Sequence, residues 1–394
     1  MCGIAGIIRF DDRPADEAML ARMSGRVAHR GPDGSGIYAA GPIGLAHRRL
    51  SILDTSSAAH QPMWDAERTA AISYNGEVYN YRELRASLAA LGHRFESTGD
   101  TAVLLAACQT WGVPEAARRV NGMFAFAYWD ARRREMWLAR DRVGIKPLYY
   151  HCSAERVLFA SEIKALLGEV DAQPDENALT ALLMRIPLHD PNTPFKGIRA
   201  VEGGQVIRFD AAGRVEPRTY FSLADAVDPE LYASVDRMSD RDVVSMVDER
   251  VRASVALHAA SDAPVGTLVS GGVDSGLVSS LAGAHLPGLN AYHADVEGPC
   301  SELAWARETA REAGLPLRVL KLTHEGYVRA LPQATFFNEW PVCLHPNTVP
   351  FHLVCSLAAR RGEKVLLTGE GADELFGGYA IFRAAARRRR LDLW

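Results

Sequence analysis

The chain has 394 residues, 48% of them hydrophobic and 23% charged, with a formal net charge of −4. That is ordinary globular composition, long enough for two or three domains that each bury a core. The charge gives none of the basic footprint that nucleic acid requires, and no run of eighteen apolar residues marks a membrane helix. Cysteines at positions 2, 108, 152, 300, 343 and 355 form no C-x-x-C pair. Neither a zinc site nor a disulfide framework is expected, and scattered thiols fit a cytoplasmic protein. The opening M-C-G-I-A-G-I-I-R-F-D-D lacks the basic and long apolar regions of a signal peptide, and no leader precedes Cys2 to direct lipidation.

In chain order, residues 3–10, 41–51 and 70–74 read as strands. Apolar residues at helical spacing predict helices over 81–91 and 101–111. Strands at 124–130 and 135–140 flank a short polar turn, as in a hairpin. Strands interspersed with helices in this way suggest an α+β sandwich. Residues 211–241 are polar and weakly periodic, and read as a linker region. Beyond them strands at 267–270, 291–295, 317–322 and 364–368 alternate with helices at 276–284, 301–313 and 347–361. Such alternation predicts a doubly wound parallel sheet. The arginine run at 387–390 reads as a solvated helix face, and no internal repeat is visible.

Cys2 directly follows the initiator methionine. Its small side chain favours removal of Met1, which would leave an α-amine beside the thiol. That amine titrates near pH ~8 and can serve as the base for its own nucleophile. Taken alone, Cys2 reads equally well as a small buried hydrophobe. Asn75-Gly76 alone reads as a hairpin turn, Arg49 as a surface arginine, and Asp100 as a helix cap.

Further segments stand in order with Cys2. The chain reads C-G-I-A-G at 2–6, H-R-G-P-D at 29–33 and A-H-R-R-L-S-I at 46–52. It continues with Y-N-G-E-V-Y-N at 74–80, S-T-G-D at 97–100 and A-R-D-R-V-G-I-K-P-L-Y-Y at 139–150. Together these segments resemble the class II glutamine amidotransferase domain, which has an N-terminal-nucleophile fold. The resemblance implies Cys2 as nucleophile, with Asn75 and Gly76 forming the oxyanion hole. It places Arg49, Leu50, Ser51, Ile52, Leu53, Asn75, Gly76, Glu77 and Asp100 around glutamine. The chemistry suits these types: a guanidinium fork matches the substrate carboxylate, a carboxylate its ammonium, and fixed N–H donors the oxyanion. His29 and His47 are expected to be structural, since the α-amine supplies the base.

The second informative segment is V-G-T-L-V-S-G-G-V-D-S-G at 265–276. A strand ending in a Gly-Gly turn that feeds a helix makes an anion site from backbone N–H groups. No lysine follows the glycines, so this is not the G-x-x-x-x-G-K-S/T loop. Without a ligand it would be a glycine-rich strand-to-helix turn. S-G-G-V-D-S resembles the loop of ATP pyrophosphatases, which cleave ATP to AMP and pyrophosphate. L-L-T-G-E-G-A-D-E-L-F-G-G-Y at 366–379 is similar to the asparagine synthetase signature, although its acidic residues alone could simply favour a helix start. The resemblance implies ATP contacts at Leu268, Ser270, Gly271, Gly272, Asp274, Ser275, Ala294, Thr368 and Gly369. It implies magnesium at Asp274 and Asp373, and gives Glu370 a part in forming an acyl-adenylate.

The whole is therefore read as a glutamine-hydrolysing asparagine synthetase. Its α+β N-terminal-nucleophile sandwich spans 2–210, a linker 211–240, and an α/β doubly wound parallel-sheet ATP-pyrophosphatase domain 241–394. Glutamine, ATP and an acceptor carboxylate, aspartate by default, are the expected partners. A homodimer is an assembly open to it, and neither nucleic acid nor membrane is expected. Relatives continue into a helical region with an R-V-P-F-L-D segment and a phosphate-contacting lysine, so the synthetase domain reads as truncated at Trp394. The acceptor region L-H-P-N-T-V-P at 344–350 also departs from the family pattern at His345, Asn347 and Thr348. Two alternatives follow: the same architecture acting on another carboxylate, in a glycan or secondary metabolite, or a glutaminase with an inactive synthetase half.

Overall fold

A computed structural model of the chain describes residues 1–11, 13–299, 301–340, 345–380 and 382. The chain divides into two compact units. The first holds Met1–Met238 together with Glu339 and Trp340, and the second holds Ser239–Asn338 and the described residues from His345 on.

The first unit contains β1 (Gly3–Arg9), β2 (Gly34–Ala40), β3 (Ile43–Arg49), β4 (Met63–Trp64), β5 (Ala70–Val78) and β6 (Gly122–Asp130). It continues with β7 (Glu135–Arg140), β8 (Tyr149–Cys152), β9 (Arg156–Ala160), β10 (Ile198–Ala200), β11 (Gln205–Asp210) and β12 (Val215–Thr219). They form two six-stranded sheets in the orders β10-β8-β9-β1-β3-β2 and β12-β11-β7-β6-β5-β4. Alternation along the strands decides the layering. Ile4 and Ile8 of β1, Leu45 of β3, Ala71 of β5 and Ala125 and Ala127 of β6 meet between the sheets.

The opposite faces are covered by helices. Met19, Leu20 and Met23 of α1 (Glu17–Arg26) pack on Ala5, Ile7 and Ala46. Asp16 caps α1 by accepting from the Met19 N–H at 3.1 Å. On the second sheet, α2 (Tyr81–Ala90), α3 (Asp100–Trp111) and α4 (Val113–Arg119) cover Ile72, Tyr74, Phe124 and Phe126. Every residue of α3 from Val103 to Cys108 is buried, as expected of a helix that is apolar all round.

The structure adds to two local readings at the element scale. Asn75-Gly76 makes no hairpin turn. It lies inside β5, where Asn75 faces Ala125 and Gly76 faces Phe124 of β6 in antiparallel register. A Cβ on Gly76 would stand 2.2 Å from the Met123 carbonyl oxygen, so only glycine lets the strands meet there. Within the polar stretch read as linker, which follows α5 (Glu176–Leu183), Val215–Thr219 pairs with β11 as an edge strand and Pro229–Val235 forms α6. Edge strands tolerate proline and charge, so V-E-P-R-T carries no alternating apolar signal.

The second unit begins with α7 (Asp240–His258) and continues through β13 (Val265–Leu268), α8 (Val273–His285), β14 (Asn290–Val296), α9 (Leu303–Glu312) and β15 (Leu317–Leu322). After α10 (His324–Asn338) come α11 (Thr348–Arg360), β16 (Val365–Leu367) and the short α12 (Ala372–Phe376). The sheet is parallel, in the order β15-β14-β13-β16. Ala291 faces Ala306 of α9, and its neighbour Tyr292 faces Val354 and Ala358 of α11. Helices therefore cover both faces, as a doubly wound sheet requires. The arginine run at 387–390 lies outside the described residues. No helix among the described residues is long and apolar enough to cross a membrane.

Candidate functional site

Continuing the alternation of β1 back from Ile4 turns the Cys2 side chain into the space between the sheets. In β5, Asn75 shares the face of Ala71 and Ser73, so it points into the same space. There a cleft of about 540 Å³, mouth included, is lined by Cys2, Arg49, Leu50, Ile52, Leu53, Asn75, Gly76, Glu77 and Asp100. Every residue expected around glutamine is thus on one wall or another, except Ser51. That residue gives its N–H to Asp33 Oδ2 at 2.8 Å and is not among the lining residues.

The thiol sits against the Leu50 backbone: the Leu50 N–H donates to Cys2 Sγ at 3.3 Å, and the thiol donates to the Leu50 carbonyl at 3.6 Å. Burial pushes the thiol pKa up, against the pull of the Leu50 N–H. Asn75 is buried, yet its Nδ2 has no hydrogen-bond partner. A buried amide donor left unpaired costs ~1–3 kcal/mol, and such groups mark sites where a ligand atom completes the bond. The oxyanion of an attacked amide is such an atom.

Arg49 is anchored by the carbonyls of Asp54 and Ser56, the latter at 2.8 Å. The Asp54 carboxylate in turn accepts from Ser56, Ser97 and Thr98. These bonds tie the S-T-G-D segment to the R-R-L-S-I-L-D segment. Asp100 does not cap its helix from outside: Gly99 holds the cap position, and Asp100 is the first residue of α3. Its carboxylate accepts from the Tyr74 hydroxyl at 2.8 Å and the Val78 N–H at 2.9 Å. Burial still raises its pKa. Burial, with repulsion from Asp100, also raises Glu77 to about 7.

Sequence reasoning missed several groups. Lys146 lines the cleft inside the quoted A-R-D-R-V-G-I-K-P string, where the resemblance gave it no role. Tyr74 and Thr101 adjoin residues that were expected, while Gln61 carries no sequence signal at all. Behind the thiol, Arg30 Nε donates to the Cys2 carbonyl at 2.8 Å, and its Nη1 to Glu162 at 2.8 Å. Glu162 also takes His29 at 3.0 Å and Lys164 at 2.6 Å. Burial opposes its charge, but these partners win and hold it at about 2. Glu339 extends the chain of charges, accepting the N–H groups of Ile163 and Lys164 at 2.8 and 2.7 Å. His47 is buried and donates from Nε2 to the Tyr74 carbonyl at 3.0 Å.

In the second unit, β13 and β16 are parallel neighbours. The strand order reverses at β13, which is where ligands bind in such sheets. Ser270 and Ser275 hydroxyls lie 2.9 Å apart, and the Ser275 hydroxyl also accepts the Ser270 N–H at 3.1 Å. Gly271 has φ +101°, a conformation that favours glycine. A Cβ on Gly369 would stand 2.7 Å from the Ser275 nitrogen and 3.0 Å from Asp274 Cβ. The two glycine-rich turns are therefore in contact, and they bring Ser270, Gly271, Gly272, Asp274, Ser275, Thr368 and Gly369 to one end of the sheet. Leu268 ends β13, Ala294 lies on β14, and both pack at the Tyr292 cluster. Glu370 follows Gly369, its N–H on the Thr368 hydroxyl at 3.4 Å. Asp373 stands in the first turn of α12.

A two-sheet sandwich with a thiol at its second residue and an unpaired amide in the same cleft defines the class: an N-terminal-nucleophile glutamine amidotransferase domain. The family described as glutamine amidotransferase domain matches residues 1–221, and the family described as asparagine synthase matches residues 246–394. Asparagine synthetase (glutamine-hydrolysing) 1 of Bacillus subtilis is 35% identical over 390 residues, covering 97% of this chain and 60% of that one. Asparagine synthetase (glutamine-hydrolysing) 3 of the same organism is 31% identical, covering 98% and 64%. A Gibberella zeae protein named amidase chry2 is 32% identical, covering 98% and 60%. The chain belongs to the glutamine amidotransferase domain family, its remainder matches the asparagine synthase family, and it spans about three fifths of the length of these relatives.

Proposed function

We propose that the chain carries a glutamine-dependent amidotransferase that uses ATP to convert a carboxylate into an amide, with aspartate as the first acceptor to test. The observation that carries the reading is the buried, unpartnered Asn75 Nδ2 in the cleft that holds the Cys2 thiol.

With Met1 removed, the Cys2 thiol passes its proton to its own α-amine, and the thiolate attacks the side-chain carbonyl carbon of glutamine. Asn75 Nδ2–H and the Gly76 N–H receive the oxyanion. Arg49 holds the substrate carboxylate, and Asp100 and Glu77 its ammonium. As the carbon–nitrogen bond breaks, the α-ammonium returns its proton to the departing nitrogen, which leaves as ammonia. Water then opens the thioester, giving glutamate and the free thiol.

In the second unit, an acceptor carboxylate oxygen attacks the α-phosphorus of ATP, and pyrophosphate departs from the Ser270–Ser275 turn. Ammonia displaces AMP from the resulting acyl-adenylate, whose formation Glu370 serves. Asp274 and Asp373 supply hard oxygen ligands, and no three His, Cys, Asp or Glu side chains converge as a metal cage among the described residues. That donor set fits magnesium carried mainly by phosphate oxygens. Bound there, magnesium would neutralise charge on the departing pyrophosphate.

The similarity to a protein named an amidase supports a second reading, in which the acceptor is another carboxylate. The test is glutamate, AMP and pyrophosphate release from glutamine and ATP, with aspartate and then with other carboxylates. Matched AMP and glutamate with aspartate supports the first reading, and AMP only with another acceptor supports the second. Glutamate without AMP under any acceptor would leave only a glutaminase. Cys2→Ala should abolish glutamine use while sparing ammonia-dependent amide formation. Loss of both would contradict two separate sites.

A further inference from the structure

Lys146 is a buried cation that the chemistry above does not use. It follows the turn between β7 and β8, and that turn is firmly built. Asp141 accepts the N–H groups of Phe124, Ile145 and Lys146 at 3.1, 2.8 and 2.9 Å. Arg140 donates to the carbonyls of Gly144 and Lys146 at 2.7 and 2.8 Å. This frame aims the lysine into the cleft, where it is 6% exposed. Its Nζ lies 3.2 Å from Met1 Sδ, the one hydrogen-bond acceptor it meets among the described residues. Arg30 approaches the same sulfur at 3.8 Å while gripping the Cys2 carbonyl. Arg30 is ion-paired with Glu162, which it shares with Lys164. Lys146 has no carboxylate at ion-pair distance among the described residues.

Leaving a lysine unpaired in a buried site is costly, and the geometry shows what it faces. Two cations, Lys146 and Arg30, reach the start of the chain. We propose that Lys146 is a positioning residue for glutamine hydrolysis: its ammonium, together with Arg30, keeps the α-amino nitrogen of the processed Cys2 unprotonated and ready to take the thiol proton. The proposal rests on the glutaminase reading given above.

The charges around the N-terminus are mixed. Arg30 and Lys146 oppose protonation of the amine, while Cys2 and Asp33 favour it. Lys146 itself faces Arg30, and also Glu77, Asp141 and Cys2. Burial and then Arg30 already depress the amine of Met1 to about 5, with Lys146 adding to the shift. Burial and Arg30 bring Lys146 to about 8, so at neutral pH it is still mostly charged. An amine held deprotonated at neutral pH is a base throughout the working range. One protonated there would have to lose its proton before each turnover.

The experiment is the pH profile of kcat/KM for glutamate release by the full chain, with Met1 removal verified by intact mass in every preparation. In Lys146→Met, which keeps the bulk and removes the charge, the acid limb is expected to move up by roughly one pH unit. Activity at pH 5 should then fall several-fold further than activity at pH 9, and Lys146→Arg should return the limb toward its original position. An acid limb unmoved in Lys146→Met, or an equal loss at every pH, overturns the proposal. If turnover is too slow to follow, the pH dependence of Cys2 alkylation by 6-diazo-5-oxonorleucine reads the same proton and carries the same two outcomes. Should Lys146→Met fail to fold, Lys146→Gln takes its place. A parent enzyme that releases no glutamate fails the glutaminase reading, whereas an active parent with an unmoved limb in the variant fails this inference alone.

Discussion

Asn75 shows how a single residue can be costly to the fold and, in the proposed reaction, necessary to the site. Its Nδ2 is buried with nothing to donate to, whereas native proteins pair nearly all such groups. Replacing it removes the orphan. Asn75→Ala is therefore expected to melt no lower than the parent, while kcat for glutamine hydrolysis falls by about 10²–10³. Calorimetry and a glutamate assay check both halves, and a variant that loses stability but keeps kcat would deny the oxyanion role. The motif string pointed to this residue, whereas the Asn-Gly pair taken alone reads as a turn, because it is also the strongest short turn signal. What decides between turn and strand is β6, which lies nearly fifty residues further on and offers Asn75 a partner at Ala125.

Elements carry the N-terminus through a buried cluster. Glu162, just beyond β9, joins His29, Arg30 and Lys164, and Arg30 reaches the Cys2 carbonyl. Removing one partner of a buried ion pair costs about 3–5 kcal/mol, so Glu162→Gln should lower stability by that order at pH 7, measured by denaturant unfolding. The pH dependence has a definite sign. A carboxylate depressed to about 2 contributes its full stabilisation above its unfolded value of ~4.3, and loses it as pH falls through about 2. The gap between parent and variant should accordingly close across that window. A gap that stayed constant from pH 7 to pH 2 would show that the charge of Glu162 is not what holds the cluster. None of this network was legible in the sequence. His29 and Arg30 lie in one segment and Glu162 and Lys164 in another, with His29 standing 133 residues from Glu162, and the antiparallel pairing of β1 with β9 carries the second segment to the start of the chain.

At the scale of the whole molecule, the proposed reactions fall to two units. Asp274 and Gly369 belong to turns that touch only because β13 and β16 are neighbours in the sheet. Asp274→Asn is expected to abolish AMP release while glutamate release continues at close to the parent rate. A collapse of glutamate release would contradict assignment of the two reactions to separate units.

The order of strands and helices in the second unit, and the identity of the glycine-rich turns, follow from the sequence itself. A parallel sheet covered on both faces needs short apolar runs separated by helical spacing, and that pattern survives without any partner segment. The quoted strings likewise determined which residues to place in the glutamine cleft. The tertiary structure alone decided that Asn75-Gly76 is strand, that V-E-P-R-T is an edge strand, and that Lys146 meets the start of the chain. In each case the deciding atom belongs to a segment remote in sequence, and local propensity is too weak to outweigh a hydrogen-bonded partner across the sheet.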